Sequence, residues 1–594
     1  MIPFKVSGIA FYPRRLRHSA LLSVGVCSLL PYFALAQGTP DAGALQQNMQ
    51  RQMQTPSTAV LPQPSAPEYA PLELSKSETL FIVKRFALTG VKLVPVEDVE
   101  VALKPWLDRE ISFADLQKAM NVIETIYRDK GYLAQAILSP QALRDGLVTV
   151  EVLEAKLGAV IVERDKEGAR FDQQFASDFV TGSNKRGEAL NIDDISRSLT
   201  LLNEVPGVKA SSVLEAGEQV GDTNLRVDLA DTNWLTGRAE ANNYGSRTTG
   251  VWQGVVGGSI NNPSAYGDQL SLSGIYAQGS RYTQGSYNFP LGANGLRLNL
   301  SGSDLRYTNI GEYAANGGRG SAALLSAELS YPLMRKQTTN INLTARYDNK
   351  AYLNNNLATD AVVSQYSINS VTVGMTGNHF DGLLGGAITT ASIGLVLGQL
   401  RVSDNTPSSY GSFVDAYGLY TSYLPTNYAK VVFNLNRNQT LVTDKLSLKL
   451  NVSGQVSNVN LNSAEQFYLG GPYAIRAYPV AQGGGSQGAI LNLELQKNLP
   501  YEFTASTFFD VGTVQQYREP YLNWQGSTNA SNIYSLAGAG FGIKYVSKGL
   551  AVSATLAWRV GKNPLYSQSG VAVNTDNTNT NPMGWLSLSY QLDP

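Results

Sequence analysis

The sequence predicts a transmembrane β-barrel of 16 antiparallel strands, preceded by two domains of βααββ pattern and by an N-terminal helix with its linker. Three observations predict this fold. The chain begins with an export signal, no later apolar stretch reaches the roughly 18 residues of a spanning helix, and the C-terminal region alternates apolar and polar residues. An exported chain with no spanning helix is either soluble or a closed barrel, because only a closed barrel pairs every strand within the membrane.

Composition agrees with a sheet protein that has a lipid-facing surface. The 594 residues exceed one ordinary domain, so two or three units are expected. The formal net charge is -1, with 46 basic and 47 acidic residues, which gives no overall preference for nucleic acid or anionic lipid. Charged residues make up 16 % of the chain, below the roughly 25 % of soluble proteins, while glycine and tyrosine are abundant.

Residues 1–36 have the layout of a secretory signal peptide. Basic residues precede an apolar run, and a small-residue motif ends at Ala36, after which we expect cleavage. Cys27, the one cysteine of the chain, lies inside this segment. The mature chain is therefore expected to form no disulfide and no thiolate metal site. Val26 is too bulky for the position before a lipid-modified cysteine, which disfavours a lipoprotein.

The segment after the signal predicts a short helix and a linker. Residues 37–54 are expected to form an amphipathic helix, because Leu45, Met49 and Met53 lie near one helical face. Residues 55–76 are rich in proline and predict an extended linker. Two interpretations of this segment stay open: a spacer between the signal and the first domain, or a tethered plug for the barrel.

Two similar units follow, residues 77–156 and 157–232, each with a βααββ pattern. In the first, Phe81–Leu88 predicts a strand and Ser112 predicts the N-cap of an amphipathic helix. In the second, Asn191 predicts the corresponding cap. The other strands predicted in the two units are Ala134–Leu138, Leu147–Leu153, Ala159–Glu163, Lys209–Glu215 and Asn224–Leu229.

Residues 233–594 alternate with period two, as Leu446–Val452 and Leu586–Leu592 show. Alternation alone also fits a soluble sandwich. Short turns that alternate with long loops rich in Asn, Ser and Gly favour the barrel. Phe413–Leu424 also alternates, but it would make the strand count odd, so it is assigned to an external loop. The short turns are predicted at Tyr266–Asp268, Gly292–Gly295, Asp381–Gly386, Val442–Asp444, Asn498–Tyr501 and Ser547–Gly549.

Catalytic chemistry is poorly supported. After the signal the chain keeps one histidine, His379, at the end of a predicted strand, and no cysteine, so no catalytic triad, metal site or cofactor is expected. The glycine-rich stretch 483–488 lacks the ending of a phosphate loop. Gly538, Gly540 and Gly542 occupy alternate positions and clear one face of a strand, so that another segment can pack there.

A long loop, residues 458–488, is the candidate for that segment. It carries Arg476, and an arginine folded into a barrel interior needs a carboxylate, which its planar group binds with two parallel hydrogen bonds. Asp510 and, by alternation, Glu494 are expected to point into the lumen and to supply this carboxylate. The other interpretation, an exposed arginine and two solvated acids, stays open from the residues alone.

The residues around this arginine carry a resemblance. Ile475-Arg476-Ala477-Tyr478 resembles the loop-six motif, usually Arg-Gly-Tyr or Arg-Gly-Phe, of the two-partner secretion transporters, which belong to the superfamily of outer-membrane barrels preceded by polypeptide-transport-associated (POTRA) domains. Alanine replaces the motif's glycine. The family's strand motif, Phe-x-Asp-x-Gly, is complete. Its three residues are Phe508, Asp510 and Gly512.

The resemblance implies both location and function. It implies an outer-membrane transporter that moves a large exoprotein, of haemolysin, adhesin or toxin type, from the periplasm to the cell surface, with the exoprotein bound through the POTRA domains. It also implies that Arg476 pairs with Asp510 inside the barrel, with Glu494 as a further partner, and that the N-terminal helix occupies the lumen at rest. No nucleic acid partner is expected.

Two alternatives share part of this pattern. A barrel-assembly insertase carries the same arginine motif but usually more POTRA domains. A passive porin has no need for two βααββ units.

Overall fold

The computed structural model describes residues 41–53, 80–138, 146–164, 169–182, 184–525, 531–566 and 574–592. The predicted signal peptide and the predicted proline-rich linker lie outside these residues. Helix α1 (Ala42–Met53) is the first element. In the part of the chain that the structure describes, no helix has the length and apolar character needed to cross a membrane.

The first domain contains a three-stranded sheet with two helices. Its elements are β1 (Phe81–Ile82), β2 (Arg85–Thr89), α2 (Val96–Leu103), β3 (Glu110–Ile111), α3 (Phe113–Asp129), β4 (Ala134–Ile137) and β5 (Leu147–Glu154). Strand β5 lies between β2 and β4, and pairs parallel with β2 and antiparallel with β4. Ser112 caps α3 in a reciprocal capping box with Asp115. Leu116, Met120 and Ile123 of α3 pack into the domain core.

The single strand predicted over Phe81–Leu88 is wrong in one respect. The structure divides it into β1 and β2, and β1 pairs with β3 rather than with the main sheet. The break falls at Val83 and Lys84 because their backbone groups bond elsewhere. The carbonyl of Val83 accepts from the amide of Asp108 at 2.8 Å, and the amide of Lys84 donates to the carbonyl of Gly146 at 2.8 Å.

The second domain repeats the arrangement. Its elements are β6 (Lys156–Arg164), α4 (Gln173–Thr181), α5 (Ile192–Asn203), β7 (Val208–Ala216) and β8 (Asp222–Asp231). Strand β8 is central, parallel to β6 and antiparallel to β7. The side chain of Asn191 caps α5 by accepting from the amides of Asp193 and Asp194.

The C-terminal region forms a closed barrel of sixteen antiparallel strands, which confirms the predicted fold class. Its order is β9 to β17, β20, β21 and β24 to β28, and β28 pairs with β9 to close the wall. The strands of this region, in chain order, are β9 (Leu235–Asn242), β10 (Gln253–Asn261), β11 (Gln269–Ala277), β12 (Ser280–Pro290), β13 (Arg297–Thr308), β14 (Gly318–Arg335), β15 (Thr339–Asn356), β16 (Ala361–Asp381), β17 (Ala387–Val402), β18 (Ser412–Val414), β19 (Tyr420–Ser422), β20 (Asn427–Val442), β21 (Leu446–Ser457), β22 (Phe467–Tyr468), β23 (Gly484–Gly485), β24 (Gln487–Asn498), β25 (Phe503–Gln515), β26 (Ile533–Ser547), β27 (Leu550–Arg559) and β28 (Met583–Leu592).

The remaining four strands of the region belong to connections. Strands β18 and β19 pair only with each other, so the segment Phe413–Leu424 is a hairpin outside the wall, as the parity of the strands predicts. Each short turn predicted from the sequence joins two wall strands. On the same side of the wall, the turn 336–338 between β14 and β15 was not predicted, because Lys336, Gln337 and Thr338 include no glycine, proline, asparagine or aspartate. At the opposite end, Gln278 and Gly279 alone join β11 to β12, so the predicted alternation of short turns with long loops is not strict.

The second domain is docked on the short turns of the barrel. Arg335, at the end of β14, donates from Nε and Nη2 to the two carboxylate oxygens of Glu204 at 2.7 and 3.0 Å. Arg197 of α5 donates to the carbonyl of Pro332 at 2.7 Å, and the ring of Phe175 contacts that of Tyr266 edge to face. We call this end of the barrel the domain side and the opposite end the far side.

Candidate functional site

A long loop, residues 458–486 between β21 and β24, folds back into the barrel, and we call it the inserted loop. Its two halves are held together by β22 and β23 and by the amides of Leu469 and Gly470, which both donate to the carbonyl of Gln482. At its tip the side chains of Ile475, Ala477 and Tyr478 are completely buried. A charged group buried in this way requires ion-pair and hydrogen-bond partners.

The charged group at the tip is Arg476, and two wall carboxylates bind it. Its Nε and Nη2 donate to Oδ2 and Oδ1 of Asp510 at 2.9 and 2.8 Å, and its Nη1 donates to Oε2 of Glu494 at 2.5 Å. Its backbone amide also donates to Asp510 at 3.1 Å. The side chain of Asp510 is fully buried and that of Arg476 is 14 % exposed. The structure therefore brings the three charged residues that the sequence singled out into one network.

Strand alternation places both acids. Glu494 on β24 and Asp510 on β25 point inward, while their neighbours Leu493 and Phe509 point outward. Asn492, opposite Asp510 in the strand pair, donates to Asp510 Oδ1 and to the carbonyl of Ala474, each at 2.9 Å. The arrangement satisfies the buried carboxylate and ties the loop backbone to the wall.

The aromatic and glycine residues of the two motifs surround the ion pair. The guanidinium carbon of Arg476 lies 3.4 Å from the centre of the Phe508 ring, a cation–π contact. Gly512 leaves space for Leu469, since a Cβ at Gly512 would lie 3.0 Å from that side chain. Trp585 of β28 donates from Nε1 to the carbonyl of Arg476 at 2.7 Å. Phe508 and Gly512 therefore shape the wall on which the loop rests.

Ala477 packs against the glycine-lined face of β26. A Cβ at Gly538 would lie 2.6 Å from Cβ of Ala477, closer than two carbons approach without strain. The methyl group that replaces the usual motif glycine therefore occupies the space left by a glycine of the wall. The loop and the wall are therefore closely packed at Ala477.

A second charged cluster holds the first half of the inserted loop. Glu465 forms ion pairs at 2.7 Å with Lys350 of β15 and with Lys430 of β20, and the side chains of all three are nearly buried. Gln455 donates to the carbonyl of Glu465 at 2.9 Å. This cluster was not predicted from the sequence. The available signal was that both lysines fall at inward positions of alternating strands, where a cation needs an acid from another segment.

Helix α1 lies inside the barrel. Leu45 and Met49 are almost fully buried among inward-facing residues of the wall and belong to one cluster with Tyr282, Leu305 and Ile368. This is the helical face that the sequence predicted. The helix fills the lumen beside the inserted loop.

Polar contacts join α1 to the loop and to the wall. Ser463 donates to Oδ2 of Asp41 at 2.6 Å, Gln47 donates to the carbonyl of Ala464, and the amide of Ala42 donates to Asn354 of β15 at 2.9 Å. No residue of α1 forms an ion pair with another described residue.

Two far-side connections meet over the lumen. The ring of Tyr423, from the β17–β20 connection, stacks on that of Tyr521, from the β25–β26 connection, with ring centres 4.0 Å apart. Asn460 of the inserted loop donates to the carbonyls of Tyr423 and Glu519. These contacts join two far-side connections to the inserted loop.

The structure places His379 at the domain side, with Nδ1 within 2.8 Å of the hydroxyl of Thr339. Within the described ranges, no three residues among His, Cys, Asp and Glu are placed to hold a metal ion. The glycine-rich stretch 483–488 lies where the inserted loop returns to β24. It includes the two residues of β23.

Comparison with known proteins identifies the family. Residues 221–545 match the family described as haemolysin secretion/activation protein ShlB/FhaC/HecB, and residues 81–155 match the POTRA domain of ShlB type. The chain belongs to the ShlB/FhaC/HecB family. The predicted resemblance is confirmed.

Relatives of the ShlB/FhaC/HecB type cover most of the chain. The heme/hemopexin transporter protein HuxB of Haemophilus influenzae (strain 86-028NP) is 24 % identical over 570 residues, which cover 92 % of this chain and 96 % of HuxB. The outer membrane transporter CdiB of Dickeya dadantii (strain 3937) is 23 % identical over 503 residues, which cover 81 % of this chain and 83 % of that CdiB.

A solved structure shows the same fold. CdiB from Escherichia coli superposes with a TM-score of 0.66 at 19 % identity and covers 94 % of this chain and 100 % of its own. As a member of the ShlB/FhaC/HecB family the chain is an outer-membrane transporter of two-partner secretion with periplasmic POTRA domains. The domain side of the barrel is therefore the periplasmic side, and the far side faces the cell exterior.

Proposed function

We propose that this transporter moves one large exoprotein in unfolded form, and that the two segments in its lumen have different roles. The observation that carries the proposal is the difference in how these segments are attached. The inserted loop is anchored by two buried ionic clusters, centred on Arg476 and on Glu465. Helix α1 has no ionic anchor among the described residues. The loop therefore stays as a brace, and the helix leaves as a plug.

The helix is held by contacts that a moving polypeptide can replace. Its hydrogen bonds go to side chains and carbonyls of the loop and the wall, and its apolar face rests on inward-facing residues. An unfolded substrate offers the same kinds of group. Taking one partner away from a buried ion pair costs about 3 to 5 kcal/mol, because the remaining charge is left without compensation.

The POTRA domains receive the substrate in this proposal, and strand β7 is the edge to which it adds. Strand β7 has nine residues, it is the outer strand of its sheet, and Val213 and Leu214 on it are exposed. A polypeptide that adds to such an edge gains main-chain hydrogen bonds. Gly207, next to the start of β7, lies close to a periplasmic turn of the barrel, since a Cβ at Gly207 would lie 3.2 Å from the Cβ atoms of Asn261 and Asn262, so the edge begins near the barrel mouth.

A photo-crosslinking residue tests this edge. Placed at Val213, it is expected to capture the exoprotein during secretion. The matched control is Ile161, which is similarly exposed on β6, at the other edge of the same sheet. Equal capture from the two positions would remove β7 from the proposal.

In this proposal, folding of the substrate outside the cell drives its movement. No nucleotide or ion gradient at this membrane is required. The central test deletes the chain from its host and compares the surface, periplasmic and outer-membrane proteins with those of the parent. The expected result is loss of one large surface or secreted protein, with the other outer-membrane proteins unchanged. A general fall in outer-membrane proteins would instead identify an assembly insertase.

The plug role has its own test in planar bilayers. Deletion of Ala42–Met53 is expected to raise single-channel conductance, because the lumen loses the helix that fills it. Conductance equal to that of the intact chain would contradict the plug role without affecting the transport proposal.

A further inference from the structure

The lipid-facing side of β12 and β13 changes character from one end to the other. Alternation turns five positions of β12 outward, together with the five positions of β13 opposite them, since Tyr282 and Leu305 at intervening positions are buried inside the barrel. From the periplasmic end, the outward cross-strand pairs are Phe289 with Leu298, Tyr287 with Leu300, Gly285 with Gly302, Thr283 with Asp304, and Arg281 with Arg306. The pairs are thus apolar near the periplasm, lack side chains in the middle and are charged near the exterior.

The two arginines of the outermost pair stand directly opposite each other. Like charges at directly opposed positions of an antiparallel pair are destabilising. Arg306 has one ion pair, at 3.3 Å with Asp304, and both of those side chains are largely exposed. Arg281 has no hydrogen bond or ion pair with any described residue. The group of three charges therefore keeps a net positive charge without a protein partner.

The glycine pair creates a depression in the wall below these charges. A depression of about 630 Å³ lies over Gly285 and Gly302, and Leu300 and Leu325 are among the apolar residues that line it. A Cβ at Gly285 would have nothing closer than 3.9 Å, so the space is open. A second depression of about 630 Å³ lies beside Arg281 and Arg306.

The two features lie within one lipid leaflet. The glycines lie four residues along the strand from the arginines, about 13 Å at roughly 3.3 Å per residue, which is about 10 Å of depth for a strand tilted by about 40°. One leaflet contributes about half of the roughly 30 Å hydrocarbon core. A molecule with a phosphate at the outer rim therefore reaches the glycine depression with an acyl chain.

We propose that Arg281 and Arg306 bind the phosphate of a phosphorylated lipid of the outer leaflet, and that Gly285 and Gly302 accommodate one of its acyl chains. Basic groups at the membrane interface bind lipid head groups in this way. The phosphate relieves the repulsion between the two arginines, and the acyl chain fills the wall where side chains are missing. This site is separate from the lumen and does not depend on the proposed transport mechanism.

A binding experiment on the full-length protein in detergent tests this site. The probe is diphosphoryl lipid A, and bound lipid is measured by native mass spectrometry over a concentration series. The double variant R281Q/R306Q is expected to bind lipid A at least tenfold more weakly than the unmodified protein. The matched control is R401Q. Arg401 also faces outward near the exterior end of a strand, but the residue opposite it is Ser367.

A second variant separates a lipid from a free phosphate. G285V fills the depression and is expected to weaken lipid A binding at least threefold, while inorganic pyrophosphate in excess leaves bound lipid A in place. Heat-modifiable migration on gels confirms a folded barrel for each variant, and single substitutions R281Q and R306Q replace any double variant that does not fold. Equal weakening by R281Q/R306Q and R401Q overturns the arginine site. Displacement by pyrophosphate together with unchanged binding by G285V overturns the lipid.

Discussion

The substitution Arg476→Ala tests the brace most directly. It removes three side-chain hydrogen bonds, two to Asp510 and one to Glu494. Asp510, which is fully buried, keeps only Asn492 and the backbone amide of residue 476 as donors. Loss of one partner from a buried pair costs about 3 to 5 kcal/mol. At about 1.4 kcal/mol per factor of ten, the docked loop loses about 10²- to 10⁴-fold in population relative to undocked forms.

Barrel assembly is expected to survive this change, because no strand pair of the wall includes Arg476. Two measurements are needed. Secretion of the exoprotein identified by the deletion experiment should fall to background. A cysteine in place of Ala474, which is buried in the docked loop, should become reactive toward a maleimide, in a chain whose Cys27 is replaced by alanine.

The matched control is Arg437→Ala. Arg437 forms an ion pair with Asp381 at 2.7 Å at the periplasmic rim, where both side chains are about a quarter exposed. This pair lies at the rim and includes no residue of the inserted loop, so its loss should not affect the docking of that loop. Secretion and labelling should stay as in the parent. If Arg476→Ala leaves the cysteine protected and secretion normal, the brace is refuted.

Three further predictions follow from other contacts. Glu465→Gln should leave Lys350 and Lys430 without a buried acid and should reduce secretion. Heat-modifiable migration should still show a folded barrel. Unchanged secretion would mean that the Arg476 network alone holds the loop. Glu204→Ala should broaden the distance distribution between spin labels on the second domain and the barrel, because its bidentate contact to the barrel is lost. An unchanged distribution would show that the remaining contacts, such as that of Arg197 with the carbonyl of Pro332, fix the docking. Ser112→Ala should destabilise α3 by about 1 kcal/mol in hydrogen exchange corrected for intrinsic rates, since the helix loses its cap.

The acid dependence of α3 has a defined sign. Hydrogen bonds from Lys118 and Ser112 lower the pKa of Asp115 to about 2, below its usual value near 4. A carboxyl whose pKa is depressed by folding contributes its stabilisation fully above pH 4 and loses it as pH falls toward 2. Protection of α3 should therefore fall over that interval and stay constant from pH 5 to 7. The variant Asp115→Asn should remove this dependence, and an unaltered acid profile would exclude Asp115 as its source.

The sequence predicted those features that depend on local pattern. Alternation was sufficient to turn Asp510 and Glu494 toward the lumen, and an odd strand count was sufficient to place Phe413–Leu424 outside the wall. Glu465 could not be identified from the sequence as the acid that pairs with the two inward lysines. These lysines lie on β15 and β20, more than thirty residues away, and no local period links them to Glu465. The break of the first strand at Val83 depends likewise on distant backbone partners.

The methyl group of Ala477 fits against the bare backbone of Gly538. The wall therefore determines where the inserted loop can lie. If the loop slipped by one residue, Arg476 or Tyr478 would have to occupy the space over Gly538, which fits a methyl group. This space therefore fixes which loop residue faces Gly538. It also makes the two positions interchangeable as a pair: Gly538→Ala should exclude the loop from its seat, and Ala477→Gly in the same chain should readmit it. The loop position that usually carries glycine in this motif can therefore carry alanine here, because the wall residue that faces it has no side chain.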